Sequence, residues 1–289
     1  MTTYQEQFDD ACENGDIQKV KTLYDLGKRN GTPINIHGLY EDAFCWSCGN
    51  GNFEIAKWLY YIGQQPNETP IDIHINDELS FRFSCQNGHF EIAKWLYQLG
   101  KEERNPINIH ARDASAFCLS CGNGHLEIAK WLVQLRKEQG NPIDIHAEHE
   151  SAFRESCRNG QIEIAKWLIQ LGKEQGNPIN IHAVNEEAFQ ISCGNGYLEI
   201  AKWLVQLGNE QGQPINIYAL YEIAFKWSCM NGHFEIAKWL IRMGVIPSRD
   251  NCEMYQYFIQ HIKNYTLQHN PNTEKLNMVW CHCSRVDIQ

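Results

Sequence analysis

Seven cysteines recur along the chain and are the first candidates for metal binding or redox chemistry. They are Cys12, Cys48, Cys85, Cys121, Cys157, Cys193 and Cys229. Stacked helices lie about 8–10 Å apart, whereas a disulfide requires Cα atoms within roughly 7 Å and a zinc–sulfur bond is about 2.3 Å long. One cysteine per stacked unit can therefore neither pair with the next nor share a metal ion with it. We expect the row to be small buried side chains, and nothing beside the additional Cys45 and Cys118 suggests activation.

A row of histidines follows the same interval. It comprises His37, His74, His110, His146 and His182, and Tyr218 continues it. The spacing again excludes a shared metal ion, so we expect these side chains to hydrogen-bond backbone carbonyls or a neighbouring turn. A pH-sensing stack is the alternative because histidine titrates near neutrality, but Tyr218 could not take part in it.

A column of lysines could be read as a nucleic-acid-binding stripe. It consists of Lys21, Lys57, Lys94, Lys130, Lys166, Lys202 and Lys238. Six of these seven have a glutamate three residues earlier, which predicts ion pairs on a solvated helix face. The chain also has a formal net charge of −10, and binding to a phosphate backbone depends on a cationic surface. We therefore expect no nucleic-acid partner.

Cys281-His282-Cys283, with Cys252, His261 and His269 nearby, is the only such cluster outside the rows. Its Cys-x-Cys spacing is tighter than the two to four residues that usually separate paired zinc ligands. The sequence contains no Gly-rich phosphate loop, no Gly-x-Ser-x-Gly and no His-Glu-x-x-His. We predict no bound metal, no cofactor and no catalytic residues.

All these rows follow one internal repeat. Trp58, Trp95, Trp131, Trp167, Trp203 and Trp239 stand 37, 36, 36, 36 and 36 residues apart, and seven Asn-Gly pairs keep the same interval. Seven units therefore fill residues 1–247, the first of them an N-terminal cap because Lys19 and Thr22 replace the usual Ile and Trp. Residues 248–289 are expected to form a C-terminal capping helix and a polar tail that closes with an apolar cluster.

Each unit is predicted to be a pair of helices. In the fourth unit a short helix covers about 117–121, Asn123-Gly124 ends it, and a second helix begins near His125. The second helix carries an apolar face too broad for one partner, so copies of the unit must cover it on both sides. The predicted fold is an all-α solenoid of stacked helix-turn-helix repeats joined by short extended connectors such as Ile143–His146.

The apolar stretches are too short to span a membrane, and the N-terminus has neither a basic start nor an apolar core of a secretory signal. The twelve cysteines are then expected to be reduced thiols. We expect a cytoplasmic protein without a membrane partner.

The segment NGHLEIAKWL and its partial copies resemble the second helix of ankyrin repeats. The 36-residue interval, the IxIHA connector and the AFxxSCxNG helix are similar to divergent ankyrin arrays encoded by large DNA viruses of amoebae, which would place the protein in the host cytoplasm. The family's Thr-Pro-Leu-His is absent, and the region after the second helix is longer. That leaves open either the family's β-hairpin finger or a plain turn with a longer second helix.

The resemblance implies a non-catalytic scaffold, expected to be a monomer, that binds another protein through its concave surface. Positions that differ between repeats before and on the first helices supply the candidate partner-binding residues. They are Tyr40, Trp46, Arg82, Arg112, Arg154, Tyr221 and Trp227, types that anchor interfaces. For Trp46, Phe83 and Trp227, packing in the core is the alternative. A second hypothesis is an adaptor whose C-terminal segment recruits another factor, such as ubiquitin-ligase machinery.

Overall fold

The computed structural model describes residues 3–38, 41–66, 68–139 and 142–245, without the side chains of 136–139 and 221. Within these ranges the chain forms fourteen helices and no strand. It divides into two compact units, residues 1–183 and 184–289. No helix in the described ranges is long and apolar enough to cross a bilayer.

Helix pairs repeat in chain order, with the first helix of each pair odd-numbered. They are α1 (Tyr4–Glu13), α2 (Ile17–Arg29), α3 (Asp42–Gly49), α4 (Phe53–Gly63), α5 (Ile75–Gln86), α6 (Phe90–Glu102), α7 (Ala111–Gly122), α8 (Leu126–Gln139), α9 (Ala147–Arg158), α10 (Ile162–Glu174), α11 (Ala183–Gly194), α12 (Leu198–Glu210), α13 (Ala219–Met230) and α14 (Phe234–Arg242). The predicted all-α repeat fold of stacked helix pairs is confirmed.

The break inside each pair comes from the glycine. Gly124 has φ +89°, whereas Asn123 keeps φ −94°, so only the glycine uses the left-handed conformation that both residues tolerate. The second helix begins at Leu126, as predicted, and buries Ile128, Ala129 and Leu132. The connection after α6 is a turn followed by residues without regular secondary structure, so of the two possibilities the plain turn is correct there.

Aromatic side chains join successive repeats. Phe44 on α3 is fully buried, and its ring centroid lies 6.1 Å from that of Trp95 on α6 of the next repeat. Tyr60 on α4 meets the same indole edge-on at 5.7 Å. Phe81 and Trp131 repeat the contact at 6.2 Å. Such pairs contribute roughly 0.5–1.5 kcal/mol beyond the area they bury, which explains why Trp recurs in every unit but the first.

The Asn of each Asn-Gly pair forms a second join, which we call the Asn ladder. Its side-chain Nδ2 donates to the backbone carbonyl of the residue before the Asn-Gly pair of the preceding repeat. The described bonds are Asn50 to Glu13 (3.2 Å), Asn87 to Gly49 (2.7 Å), Asn123 to Gln86 (2.8 Å), Asn159 to Gly122 (3.0 Å) and Asn231 to Gly194 (2.6 Å). The Asn side chain thus satisfies a carbonyl at a helix end that has no intrahelical partner.

The N-terminal end of the first unit has the polar face expected of a cap. Lys19 and Thr22 are exposed, and Thr3 with Glu6 forms a capping box at the start of α1. The predicted C-terminal capping helix and tail, residues 248–289, lie outside the described residues.

Candidate partner-binding face

The first helices differ from the prediction at their start. The sequence predicted helix over about 117–121, whereas α7 spans Ala111–Gly122 and contains three successive left-handed residues, Arg112, Asp113 and Ala114, with φ of 50°, 54° and 57°. We call this segment the left-handed turn. It recurs at 76–78, 148–150 and 184–186 without a glycine. Each such L-residue costs roughly 1–2 kcal/mol, so surrounding contacts must hold the turn.

A histidine–glutamate pair holds the left-handed turn. Nδ1 of His74 lies 3.0 Å from the carboxylate of Glu78, which is the third left-handed residue. His37–Glu41 and His146–Glu150 repeat this contact at 2.9–3.0 Å. The histidines were predicted to bond backbone carbonyls or a neighbouring turn; the acceptor in these three repeats is instead a side-chain carboxylate within the same turn.

The same glutamate reaches the next repeat. Glu78 Oε1 accepts the backbone N–H of Asn108 at 3.0 Å, and Glu41, Glu150 and Glu186 accept in the same way. Each of these bonds links the turn of one repeat to the connector of the following one. The sequence reasoning missed this glutamate, although the His-x-x-x-Glu spacing is visible in four repeats.

The imidazole geometry indicates one tautomer. Nε2 of His37, His74 and His146 is buried and has no hydrogen-bond partner among the described residues. A proton on Nδ1 can be donated to the glutamate, whereas a proton on Nε2 would be a buried unsatisfied donor. The arrangement therefore suits a structural hydrogen bond.

Arg82 and Arg154, both predicted to bind a partner, contact the left-handed turn. Arg82 is 7% exposed, and its Nε and Nη2 donate to the carbonyls of Asp77 and Asn76 at 2.7 and 2.9 Å. Arg154 donates to the carbonyls of His149 and Glu148 at 2.8 and 2.9 Å. Gln190 takes this position in its repeat and donates to Asn185 O at 2.6 Å. The guanidinium groups therefore satisfy carbonyls of the left-handed turn.

Two predicted residues are strongly exposed. Trp46 on α3 is 50% exposed, so this indole is not fully packed in the core. The Arg112 side chain is 59% exposed, and its Nε donates to Asp77 of the preceding turn at 3.0 Å. Both therefore present contact area to solvent.

Of the remaining residues singled out from the sequence, some pack against neighbouring repeats and others are not described by the structure. Trp227 is partly buried, and a Cβ on Gly194 would lie 3.0 Å from its Cβ, so its base packs into the notch left by that glycine. Phe83 packs in the same way against Gly49. Tyr40 lies outside the described residues, and the side chain of Tyr221 is not described.

The cysteine row is buried, as predicted. All nine cysteines in the described ranges are buried, and none of them forms a disulfide. Burial raises the pKa of Cys12 to about 12 and that of Cys45 to about 11, and it raises the pKa of Cys85 as well. Because the thiolate is the nucleophile and the metal ligand, these thiols are poorly suited to either chemistry. No group of three metal-ligating side chains occurs in the described part of the chain, and the Cys281-His282-Cys283 cluster lies outside it.

A second imidazole position was not singled out from the sequence. His89 precedes α6 and packs on Gly51 of the preceding repeat, where a Cβ would lie 2.6 Å from its ring. Burial lowers the pKa of His89; a hydrogen bond to the Gly49 carbonyl acts against this shift, and the nearby His125 adds to it. The surroundings of His89 therefore favour its neutral form.

The lysine column forms the predicted ion pairs. Lys57–Glu54, Lys166–Glu163 and Lys202–Glu199 have N–O distances of 2.9–3.1 Å. Lys94 and Lys238 are paired in the same way. The glutamate of each pair is exposed, and each pair contributes only tenths of a kcal/mol, about 0.2–0.5.

A family model described as ankyrin repeats, in three copies, matches residues 81–180 and 156–251. The two matches together cover more than half of the 289-residue chain. No curated protein matches the chain.

Proposed function

Because the chain belongs to the ankyrin-repeat family, we propose that it is a non-catalytic scaffold that binds another protein. Ankyrin repeats generally mediate protein–protein interaction, and the family is typically non-catalytic. The binding surface that we propose is the face of the first helices together with the left-handed turns, which corresponds to the concave face expected from the sequence.

One observation supports this face above others. The first two residues of the described left-handed turns are exposed and differ between repeats, as in Asn76-Asp77 and Arg112-Asp113, whereas a histidine precedes each turn from His37 to His182 and a glutamate ends each of them except at Ala114. A recurring frame that carries variable exposed side chains suits recognition of a specific partner. Trp46 and Arg112 are the residue types that most often anchor interfaces.

Affinity capture from the native cell tests the proposal. The bait is the full chain, compared with a Trp46→Ser, Arg112→Glu double variant, and bound proteins are identified by mass spectrometry. Tyr61→Ser is the matched control, because Tyr61 is 71% exposed but lies on a second helix, α4. We expect the double variant to lose a protein that both the native chain and the control retain. Equal capture by all three chains would show that this face is not the binding surface.

The similarity to arrays encoded by large DNA viruses of amoebae supports a further proposal, that the protein is viral and acts in the host cytoplasm as a monomer. The alternative function, an adaptor that recruits ubiquitin-ligase machinery, rests on residues 248–289, which are outside the described part. Capture of ligase subunits by the full chain, lost on substitution within 248–289 and retained in the Trp46→Ser, Arg112→Glu variant, would favour the adaptor.

A further inference from the structure

Two positions with left-handed backbone within residues 184–245 expose aliphatic side chains. Val184 has φ +52° and is 45% exposed, and Leu220 has φ +49° and is 49% exposed. A β-branched residue in the left-handed region is a genuine outlier, and strain of this kind concentrates at functional sites. We call Val184 and Leu220 the aliphatic pair.

Nothing in the turn itself requires an aliphatic residue at this position. Asn76, Arg112 and Glu148 occupy the equivalent position in repeats within residues 1–183, with φ of 50–52°. Asparagine tolerates this conformation better than valine or leucine, because its short polar side chain bonds locally. Both stability of the turn and exposure to water therefore favour a polar residue over Val184 and Leu220.

The two side chains are held in neighbouring repeats. Asn216 N–H donates to Glu186 Oε1 at 3.1 Å, and Ser228 Oγ donates to the carbonyl of Cys193 at 3.2 Å. These bonds fix the register of the two repeats. Equivalent positions on packed helices lie about 8–10 Å apart, a separation that one short apolar segment can bridge.

The described chain ends near Leu220, one member of the aliphatic pair. The hydroxyl of Tyr218 donates to the carbonyl of Gly244 at 3.0 Å, Tyr218 precedes Leu220 by two residues, and Val245 is 1% exposed. The chain continues from there for 44 further residues, which include the apolar cluster Leu276, Met278, Val279 and Trp280. The roughly 30 residues before this cluster span up to about 100 Å when extended, so it can reach the pair easily.

We propose that residues 276–280 dock on the aliphatic pair of the same chain. The occupant is this tail because its cluster is apolar, as the pair is. The chain also continues into the tail directly from the repeats that carry the pair. A tether of this length holds the cluster at an effective concentration in the millimolar range. The contact would cover part of the proposed binding face, so a partner that uses this part would have to displace the tail.

The cysteines provide a probe that the chain already carries. Cys281 and Cys283 directly follow Trp280, whereas the nine described cysteines are buried. Iodoacetamide labelling of the full chain, resolved by mass spectrometry of the peptides, therefore reports on access to the tail cluster separately from unfolding. The test variant is Val184→Asn, Leu220→Asn, which removes the aliphatic surface and places a tolerated residue in each turn. Glu148→Asn is the matched control, because Glu148 occupies the same turn position in a repeat within residues 1–183.

We expect labelling of Cys281 and Cys283 to be at least three-fold faster in the double variant than in the native chain and in the control. The acceleration should be the same after ten-fold dilution. Equal rates in all three chains would overturn the proposal, and an acceleration that disappears on dilution would show that a second copy is the occupant. If the double variant also labels the nine buried thiols, it is unfolded, and Trp280→Ser is used instead with the same expected acceleration and the same contradicting result. Loss of partner capture by Trp46→Ser, Arg112→Glu would be a separate result, because neither residue belongs to the pair.

Discussion

The carboxylate of Glu78 accepts the backbone N–H of Asn108 at 3.0 Å, which joins the left-handed turn of one repeat to the connector of the next. The same carboxylate lies 3.0 Å from Nδ1 of His74. One side chain thus stabilises an unfavourable backbone conformation and an inter-repeat contact together. Glu78 is only 6% exposed, and its loss removes the acceptor of the partly buried His74 ring and of the Asn108 N–H.

Glu78→Ala is therefore expected to lower the free energy of unfolding by about 1–3 kcal/mol, because hydrogen bonds to a charged group are lost. Urea unfolding followed by circular dichroism measures the change. The converse variant is Ala114→Glu, because Ala114 occupies the equivalent position after His110. Adding the carboxylate there should raise the unfolding free energy by about 1 kcal/mol. A neutral effect of both changes would refute the role of the His–Glu pair.

Asn87→Asp should weaken the Asn ladder. The amide of Asn87 donates to the carbonyl of Gly49 at 2.7 Å, and a carboxylate would place an acceptor against an acceptor. The expected loss is about 1–3 kcal/mol in unfolding free energy, measured by urea unfolding at pH 7. Asn30→Asp is the control, because its partner is the hydroxyl of Tyr4, which can donate to a carboxylate. Equal losses in the two variants would contradict the ladder.

Gly100→Ala is expected to destabilise the connector after α6. A Cβ there would lie 2.8 Å from Asn105 O and 2.9 Å from Ile107 N, and these backbone atoms cannot turn away as a flexible side chain would. Overpacking of this kind costs about 1–3 kcal/mol. Thermal unfolding measures the effect against Gln134→Ala, an exposed helix position on α8, where the change should be within about 0.5 kcal/mol. An unchanged melting temperature in Gly100→Ala would show that the connector can move.

His89→Gln should change how stability depends on pH. The pKa of His89 is lowered in the folded chain, so below the unfolded pKa of about 6.5 the unfolded state binds more protons. Stability contributed by neutral His89 is thus complete above about pH 6.5 and falls as the pH is lowered towards the folded pKa. Glutamine, which Gln161 already provides at this position, should make the loss between pH 7 and pH 5 shallower. Urea midpoints across this range would be parallel for the two chains if His89 had no such effect.

The sequence predicts most of the helices and little of the left-handed turns. Periodic apolar positions such as Ile128 and Leu132 determine a helix locally, and stacking then explains why cysteines such as Cys85 are buried. The turn at Asn76–Glu78 carries no glycine. Its conformation depends on two side chains outside the turn: His74, which precedes it, and Arg82, which donates to a carbonyl five residues earlier. The conformational preferences of the single residues therefore do not predict the left-handed turn.

The candidate site was predictable only as a set of variable positions. Arg82 and Arg112 are the same residue type at two variable positions, yet Arg82 is buried and donates to two turn carbonyls, whereas Arg112 is exposed. Sequence patterns do not distinguish an arginine that caps a turn from one that faces a partner, because burial of the guanidinium is decided by the backbone around it.

The most direct test of this account measures thermal unfolding and partner capture on the same two variants, Arg82→Met and Arg112→Glu. Arg82→Met removes two hydrogen bonds to the turn, so we expect a lower melting temperature, by several degrees for a loss of about 1–3 kcal/mol. Arg112→Glu breaks only an exposed ion pair worth about 0–1 kcal/mol, so we expect a nearly unchanged melting temperature and a loss of capture. Native stability with lost capture in Arg82→Met, together with full capture by Arg112→Glu, would contradict the division between frame and binding surface.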